Sequence, residues 1–300
     1  MILRSLLFVP AGDERKIDRA SRSGADALIF DLEDSVAPDC KDAARALLAD
    51  YLGTLSGDEP WRVFVRINPL ATAQCLSDLI AVVKPGVAAI VAPKIEGPAD
   101  LVRLGHYLDV AERAAGLPQG AIGLLPVVTE TAGAVLGLPE FRTAPPRLIG
   151  MTWGGEDLAT ALGALDKQSP SGAWDDPFRL ARSLCLLASA ACGVAAIDTL
   201  FANYRDMAGL SDACRSARRS GFAGKIAIHP DQVAAINDGF TPTATEIAEA
   251  RDVIAAFAAA PGHGAVGLNG RMLDRPHLLL AERLLSAAPE SDPERASRAP

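Results

Sequence analysis

Cysteine is sparse in this 300-residue chain, and the five present (Cys40, Cys75, Cys185, Cys192 and Cys214) are scattered and odd in number. They lack the close pairs of a zinc site and the density of a disulfide scaffold. The expected setting is a reducing cytoplasm, with Cys185 and Cys192 as core filler on one helix. Positive charge is also short, 29 Lys and Arg against 37 Asp and Glu for a net charge of -8. Without a basic field the chain does not attract phosphate backbones or anionic membranes, so nucleic acid is not an expected partner. A small basic patch for one anionic ligand remains allowed.

Long apolar runs are missing too. Leu6 to Pro10 precedes acidic Asp13 and Glu14 and is too short for a secretory signal. Leu184 to Ile197 is broken by Ser189 and Gly193 and is too short for a ~30 Å bilayer, so no membrane span is expected. The chain has no Gly-x-x-x-x-Gly-Lys-[Ser/Thr] loop, no Gly-x-Gly-x-x-Gly after the first apolar run and no Gly-x-Ser-x-Gly elbow. Those absences remove nucleotide hydrolysis and serine hydrolysis.

What is present is a core-forming composition, 49% hydrophobic and 22% charged. Length alone suggests about two domains, but a closed α/β barrel uses ~250 residues as one unit. Eight short apolar runs alternate with amphipathic segments: Leu3–Val9, Ala27–Asp31, Arg62–Ile67, Ala88–Ala92, Ile122–Val128, Arg147–Met151, Val194–Asp198 and Lys225–Ile228. Helix-period segments such as Lys41–Tyr51, Asp100–Ala115, Pro177–Cys192 and Asp206–Ser220 separate them. Eight strands with helical crossovers favour an α/β fold of the (β/α)8 TIM-barrel type over an open sheet, because closure removes both edges. The expected barrel covers residues 1–240. An alanine-rich helix (Thr241–Ala260), a glycine-rich turn region (Pro261–Gly270) and a short helix (Arg275–Ala287) form an expected C-terminal helical extension over 241–288, acting as a lid. The polar, proline-flanked stretch 289–300 is expected to be disordered.

Polar residues collect at one end of these runs. They finish in Asp31-Leu32-Glu33-Asp34, Arg66-Ile67-Asn68, Lys94-Ile95-Glu96, Glu130-Thr131, Trp153-Gly154-Gly155-Glu156-Asp157, Asp198 and His229. In a barrel that end carries the active site, whereas surface charge placed at random would decorate both ends. Glu130 and Asp157 follow adjacent strands and can converge, and two carboxylates with water and a chelating substrate suit Mg²⁺. Arg66 ends an apolar strand and presents a fork suited to a carboxylate or enolate oxygen. Its alternative is a salt bridge to Glu33 or Glu130. Glu33 is harder to assign to helix capping than Asp31 or Asp34. Lys94 with Glu96 reads equally as a rim ion pair, and His229 as a hydrogen-bonded structural residue. A Schiff-base role for Lys94 stays open, although Glu96 would keep the amine protonated.

The motifs Arg4-Ser5-Leu6-Leu7-Phe8-Val9-Pro10, Gly24-Ala25-Asp26, Asp31-Leu32-Glu33-Asp34-Ser35-Val36 with Lys41, Val65-Arg66-Ile67-Asn68-Pro69 and Pro93-Lys94-Ile95-Glu96 occur in order. They are followed by Glu130-Thr131-Ala132, Gly155-Glu156-Asp157-Leu158, Ala196-Ile197-Asp198, Ile228-His229-Pro230 and Gly270-Arg271-Met272-Leu273-Asp274. Over about residues 1 to 285 this resembles the citrate lyase beta-subunit-like branch of the HpcH/HpaI aldolase family. The resemblance implies a Mg²⁺-dependent (β/α)8 lyase of 3-hydroxy acyl-CoA thioesters such as malyl-CoA, citramalyl-CoA or citryl-CoA, giving acetyl-CoA and a 2-oxo acid. By the same resemblance Glu130 and Asp157 hold the metal, Arg66 stabilises the enolate or carboxylate oxygen, and Asp274 supplies acid/base chemistry. Glu33 orients Arg66 or a metal-bound water. Arg15, Lys16 and Arg19 after the first strand are the cationic candidates for CoA. A homotrimer or hexamer is implied, the C-terminal segment of one subunit lying over a neighbour's barrel. Three alternatives stay open: a citryl-acyl-carrier-protein lyase subunit of a citrate lyase complex, an acyl-CoA thioesterase, and a class II aldolase of free 2-oxo acids.

Overall fold

The computed structural model describes residues 3–142, 147–170 and 172–288. The stretch 289–300, expected to be disordered, lies outside the described residues. The apolar runs become strands at nearly the expected positions. Strand β1 (Ser5–Pro10) is followed by helix α1 (Glu14–Ser21), β2 (Ala27–Asp31) by α2 (Lys41–Thr54), β3 (Arg62–Arg66) by α3 (Gln74–Val82), and β4 (Val87–Ala92) by α4 (Pro98–Ala114). Then come β5 (Gly123–Pro126) with the short α5 (Ala132–Gly137), and β6 (Gly150–Thr152) with α6 (Gly155–Leu162) and α7 (Asp176–Ala191). Strand β7 (Ala195–Asp198) leads to α8 (Met207–Ser220), and β8 (Gly224–Ala227) to α9 (Gln232–Phe240).

All neighbouring strands in this eight-stranded sheet are parallel, in the order β5-β4-β3-β2-β1-β8-β7-β6. The two terminal strands meet through parallel bridges Leu124↔Leu148 and Val127↔Thr152, which close the barrel. Its interior is filled by Leu6, Ile29, Phe64, Ala89, Val91, Leu125, Val127, Ile197 and Ile226. Close strand approach needs small residues at the seams. A Cβ on Gly224 of β8 would sit 1.8 Å from the Leu3 carbonyl oxygen, so only glycine fits there.

Between barrel and helices lies a buried ionic knot. The Asp198 carboxylate accepts from Lys225 Nζ (3.0 Å), Arg182 Nε (2.9 Å) and Trp153 Nε1 (2.8 Å). Strand alternation explains it: Ile197 and Ile226 face the barrel interior, so Asp198 and Lys225 face outward. Burial works against the Asp198 charge, but Lys225 and Arg182 outweigh it and hold the carboxyl below its ordinary value. Asp198 therefore braces the barrel wall rather than the mouth.

The chain divides into two compact units, the barrel from Leu3 to Gly239 and a second from Phe240 onward. Within the second, α10 (Ala244–Ala258) opens with a capping box between Thr243 and Glu246 and packs on α11 (Arg275–Ser286). Between the helices, β9 (Ala265–Leu268) and β10 (Arg271–Asp274) form an antiparallel hairpin. The region read as a glycine-rich turn thus contains a strand. Asn269 and Gly270, both at positive φ (47° and 74°), make the tight connection that a two-residue hairpin turn demands.

Candidate active site

Strand parity delivers charged side chains to the barrel mouth. Ala27 and Ile29 point inward from β2, so Asp31, two residues on, does too; Phe64 of β3 is followed by Arg66 in the same way. Asp31 and Arg66 are direct register partners across the two strands. Their side chains form a bidentate pair, Nε to Oδ1 and Nη2 to Oδ2, each 2.7 Å. The guanidinium lies 4.6 Å over the Phe8 ring of β1, which fixes its plane. Burial alone would raise the Asp31 pKa, but hydrogen bonds and charge from Arg66 hold it below the usual carboxylate value. Burial alone would likewise lower the Arg66 pKa; its carboxylate partners, Asp31 first, raise it instead, so the cation is permanent.

The loop after β2 is a compact turn built on Asp31, whose carboxylate accepts from the Glu33 and Ser35 amides at 2.9 and 3.1 Å. Lys41 Nζ donates to the carbonyls of Leu32 and Glu33 at 2.9 and 2.8 Å, and Asn68 Nδ2 donates to Leu32 O at 3.0 Å. Asn68 is itself held by the buried Asp78. This scaffolding aims Glu33 inward. Arg66 Nη1 lies 2.9 Å from Glu33 Oε2 as a charge contact off hydrogen-bond geometry, and that buried oxygen has no hydrogen-bond partner.

Lys94 follows β4 and occupies the centre. Its backbone is left-handed, φ 53°, which is uncommon for a residue with a side chain. In this conformation its amide donates to Glu130 Oε2 and its ammonium reaches Glu33 Oε1 (2.6 Å), Asp157 Oδ1 (3.4 Å) and Asp34 Oδ1 (3.9 Å). The lysine is paired with Glu33 and not with Glu96, whose carboxylate instead accepts from the Thr131 hydroxyl at 2.7 Å. Glu33 and Glu130 push the Lys94 pKa up against the effect of burial, which leaves no neutral amine for a Schiff base. Arg66 pairs with Asp31 and Glu33; the alternative partner Glu130 is taken by the Lys94 amide.

Glu130 follows β5 and is buried; a Cβ on Gly154 would come within 2.9 Å of its Cγ, so the glycine after β6 makes room for it. Asp157 sits in the first turn of α6, a third exposed. Burial, reinforced by Asp157 and Glu33, raises the Glu130 pKa to about 8, and burial raises that of Glu33 to about 7. Among the described residues, Asp31, Glu33, Asp34, Glu130 and Asp157 thus face only Arg66 and Lys94 as contacting cations. Among the described residues no three His, Cys, Asp or Glu converge into a ready cage. Two hard oxygen donors, Glu130 and Asp157, in a mouth with excess negative charge match an ion that retains waters, as Mg²⁺ does.

The other expected residues have their own surroundings. Arg15, Lys16 and Arg19 are exposed on α1, just past the carboxyl end of β1; Lys16 meets Asp13 at 3.4 Å and Arg19 meets Asp231 at 3.2 Å. His229 stacks on Tyr204 with ring centroids 4.8 Å apart, and its Nδ1 accepts from the Asp231 amide. Asp274, in the second unit, begins α11, half exposed, with His277 Nδ1 2.5 Å from its Oδ1. Residue-level reading of the sequence missed Asp31 as the main partner of Arg66 and Lys41 and Asn68 as supports of its loop. A signal for Asp31 was available in the strand alternation, which places it and Arg66 on the inward face.

A closed barrel whose carboxyl-end mouth holds a fixed guanidinium among carboxylates is the arrangement of an enzyme active site. Residues 4–230 match the HpcH/HpaI aldolase/citrate lyase family, and the chain belongs to that family. It is 35% identical over 287 residues to citrate lyase subunit beta of Leuconostoc mesenteroides subsp. cremoris, covering 95% of this chain and 93% of that one. It is 37% identical over 291 residues to a (3S)-malyl-CoA thioesterase of Cereibacter sphaeroides, covering 95% and 94%. Among solved structures it matches CitE of Mycobacterium tuberculosis in complex with magnesium, acetoacetate and coenzyme A. The TM-score is 0.77 at 33% identity, over 96% of this chain and 98% of that one.

Proposed function

We propose that the protein is a Mg²⁺-dependent carbon–carbon lyase that cleaves, or in reverse forms, a 3-hydroxy acyl-CoA thioester of the malyl-CoA, citramalyl-CoA or citryl-CoA type. The products are acetyl-CoA and a 2-oxo acid. The observation that carries this reading is the Arg66 guanidinium, locked by Asp31 and Glu33, with Lys94 joining Glu33 to the Glu130 and Asp157 carboxylates. Support also comes from the relatives: CitE is described with magnesium and coenzyme A, and another relative is named for malyl-CoA.

In this reading Glu130 and Asp157 hold Mg²⁺, which when bound supplies Lewis-acid polarisation of the oxygens of the 2-oxo acid portion. Arg66 binds the oxygen on which negative charge develops as the carbon–carbon bond breaks. Because Asp31 and Phe8 have already fixed its plane, little reorganisation is needed when that charge appears. Glu33 orients Arg66. As the carbon–carbon bond breaks, the substrate hydroxyl becomes the carbonyl of the 2-oxo acid and releases its proton to water in the mouth. Asp274 in its protonated form gives a proton to the thioester enolate carbon to form the acetyl group, or takes that proton in the condensing direction, acting from a neighbouring copy of the chain in a homotrimer or hexamer. Arg15, Lys16 and Arg19 receive the anionic CoA moiety.

The test is acetyl-CoA release from malyl-, citramalyl- and citryl-CoA, each with Mg²⁺ and with EDTA. A second reading, thioester hydrolysis, is favoured by the thioesterase relative. It is separated in the same assay by following free CoA against acetyl-CoA.

A further inference from the structure

Lys94 is charged, central and unusually held. Its left-handed backbone, φ 53°, turns both its amide and its side chain toward the site, so one residue grips Glu130 through the main chain and Glu33 and Asp157 through the ammonium. The ammonium is only a third exposed and lies 2.6 Å from Glu33 and 3.4 Å from Asp157. Two of the four carboxylates that Lys94 reaches, Glu130 and Asp157, are those assigned above to the divalent ion. A compact positive charge standing against those oxygens raises the local potential where a second cation must sit.

We infer that Lys94 is the internal counter-cation of the metal site, a positioning residue whose amide holds Glu130 in place and whose ammonium competes with the divalent ion for Asp157. This rests on the reading of Glu130 and Asp157 as metal ligands. With no metal bound, the ammonium keeps the carboxylates from repelling one another and the mouth folded. When the ion binds, the ammonium gives up Asp157 and stays with Glu33, leaving the site with an intermediate metal affinity that Lys94 itself sets.

The left-handed backbone allows side chain and main chain to be tested apart. Lys94→Gly removes the ammonium while keeping a residue at ease at φ 53°. Lys94→Met removes the charge but keeps the bulk, and Lys94→Arg keeps the charge. Mg²⁺ binding is measured on the intact protein by titration calorimetry without substrate, with Mn²⁺ paramagnetic resonance as a second probe and circular dichroism to confirm folding. Lys94→Gly and Lys94→Met are expected to bind Mg²⁺ at least about tenfold more tightly than wild type, with Lys94→Arg close to wild type. Tighter binding cannot come from structural damage, which weakens a metal site, and unchanged or weaker binding in both folded Lys94→Gly and folded Lys94→Met would overturn the competition. Were wild type and all three variants not to bind Mg²⁺ at all, the metal-ligand reading of Glu130 and Asp157 would fall instead.

Discussion

At the level of single residues, the mouth is a problem in charge balance solved by pairing across strands. Asp31 holds Arg66 through two 2.7 Å hydrogen bonds in a buried setting, where removing one partner of an ion pair leaves the other uncompensated. Asp31→Asn is expected to destabilise the fold by about 3 kcal/mol in chemical denaturation. It should also lower kcat/KM by about 10²-fold or more, because the guanidinium loses its fixed plane. Turnover unchanged from wild type would show that Arg66 does not need Asp31. The two raised carboxyls give a pH signature. Glu33 and Glu130 have folded pKa values of about 7 and 8 against an ordinary value of 4.5, so the metal-free fold binds protons that the unfolded chain has released. Their contribution to stability is complete below about pH 4.5 and is lost as pH rises through 7 and 8. The Tm of metal-free protein should fall over that window, Glu130→Gln should flatten the fall, and the Tm gain on adding Mg²⁺ should grow with pH. Asp31, with its depressed pKa, acts oppositely and only in acid, losing its contribution as pH drops below the ordinary carboxylate range. A metal-induced Tm gain independent of pH between 6 and 8.5 would count against Glu130 as a ligand.

At the scale of elements, each loop at the barrel's carboxyl end is tied to its neighbour. Lys41 from α2 satisfies the Leu32 and Glu33 carbonyls, and Asn68 after β3 reaches the same loop. Lys41→Met leaves those carbonyls short of a donor and should cost about 1–3 kcal/mol. It should cut kcat about tenfold with a smaller change in KM, because it loosens Glu33 and Asp31 rather than removing a substrate contact; an unaltered kcat would show the loop is rigid without it. The strands were legible because apolar runs of four to seven residues ending in carboxylates or arginine are hard to place elsewhere. Pairings across strands were not. Lys94 sits two residues from Glu96 but pairs with Glu33, sixty-one residues away, since barrel register and a left-handed backbone decide the geometry. Asp198 resembles the other strand-end acids in sequence, yet its parity sends it outward to Lys225 and Arg182. The β9–β10 hairpin was hidden by glycine-rich composition, although Asn269-Gly270 carries a hairpin signal.

For the whole molecule, the barrel and the unit from Phe240 onward each have their own packing. If Asp274 acts in a neighbouring copy's site, two inactive variants can complement. Glu130→Gln and Asp274→Asn, each inactive alone, should recover up to about a quarter of wild-type activity after co-expression or subunit exchange, because mixed oligomers contain some fully wild-type sites. No recovery, in oligomers shown by mass spectrometry to be mixed, would place both residues in one chain's site or remove Asp274 from the chemistry. In the proposed function the mouth built on Arg66, Glu130 and Asp157 cleaves a 3-hydroxy acyl-CoA with Mg²⁺. It is tested most directly by acetyl-CoA release from purified malyl-, citramalyl- and citryl-CoA with Mg²⁺ and with EDTA. Turnover of one thioester to acetyl-CoA and its 2-oxo acid, abolished by EDTA and by Glu130→Gln, is the expected result. Folded protein silent toward all three with Mg²⁺ present, or releasing only free CoA, would contradict the lyase account.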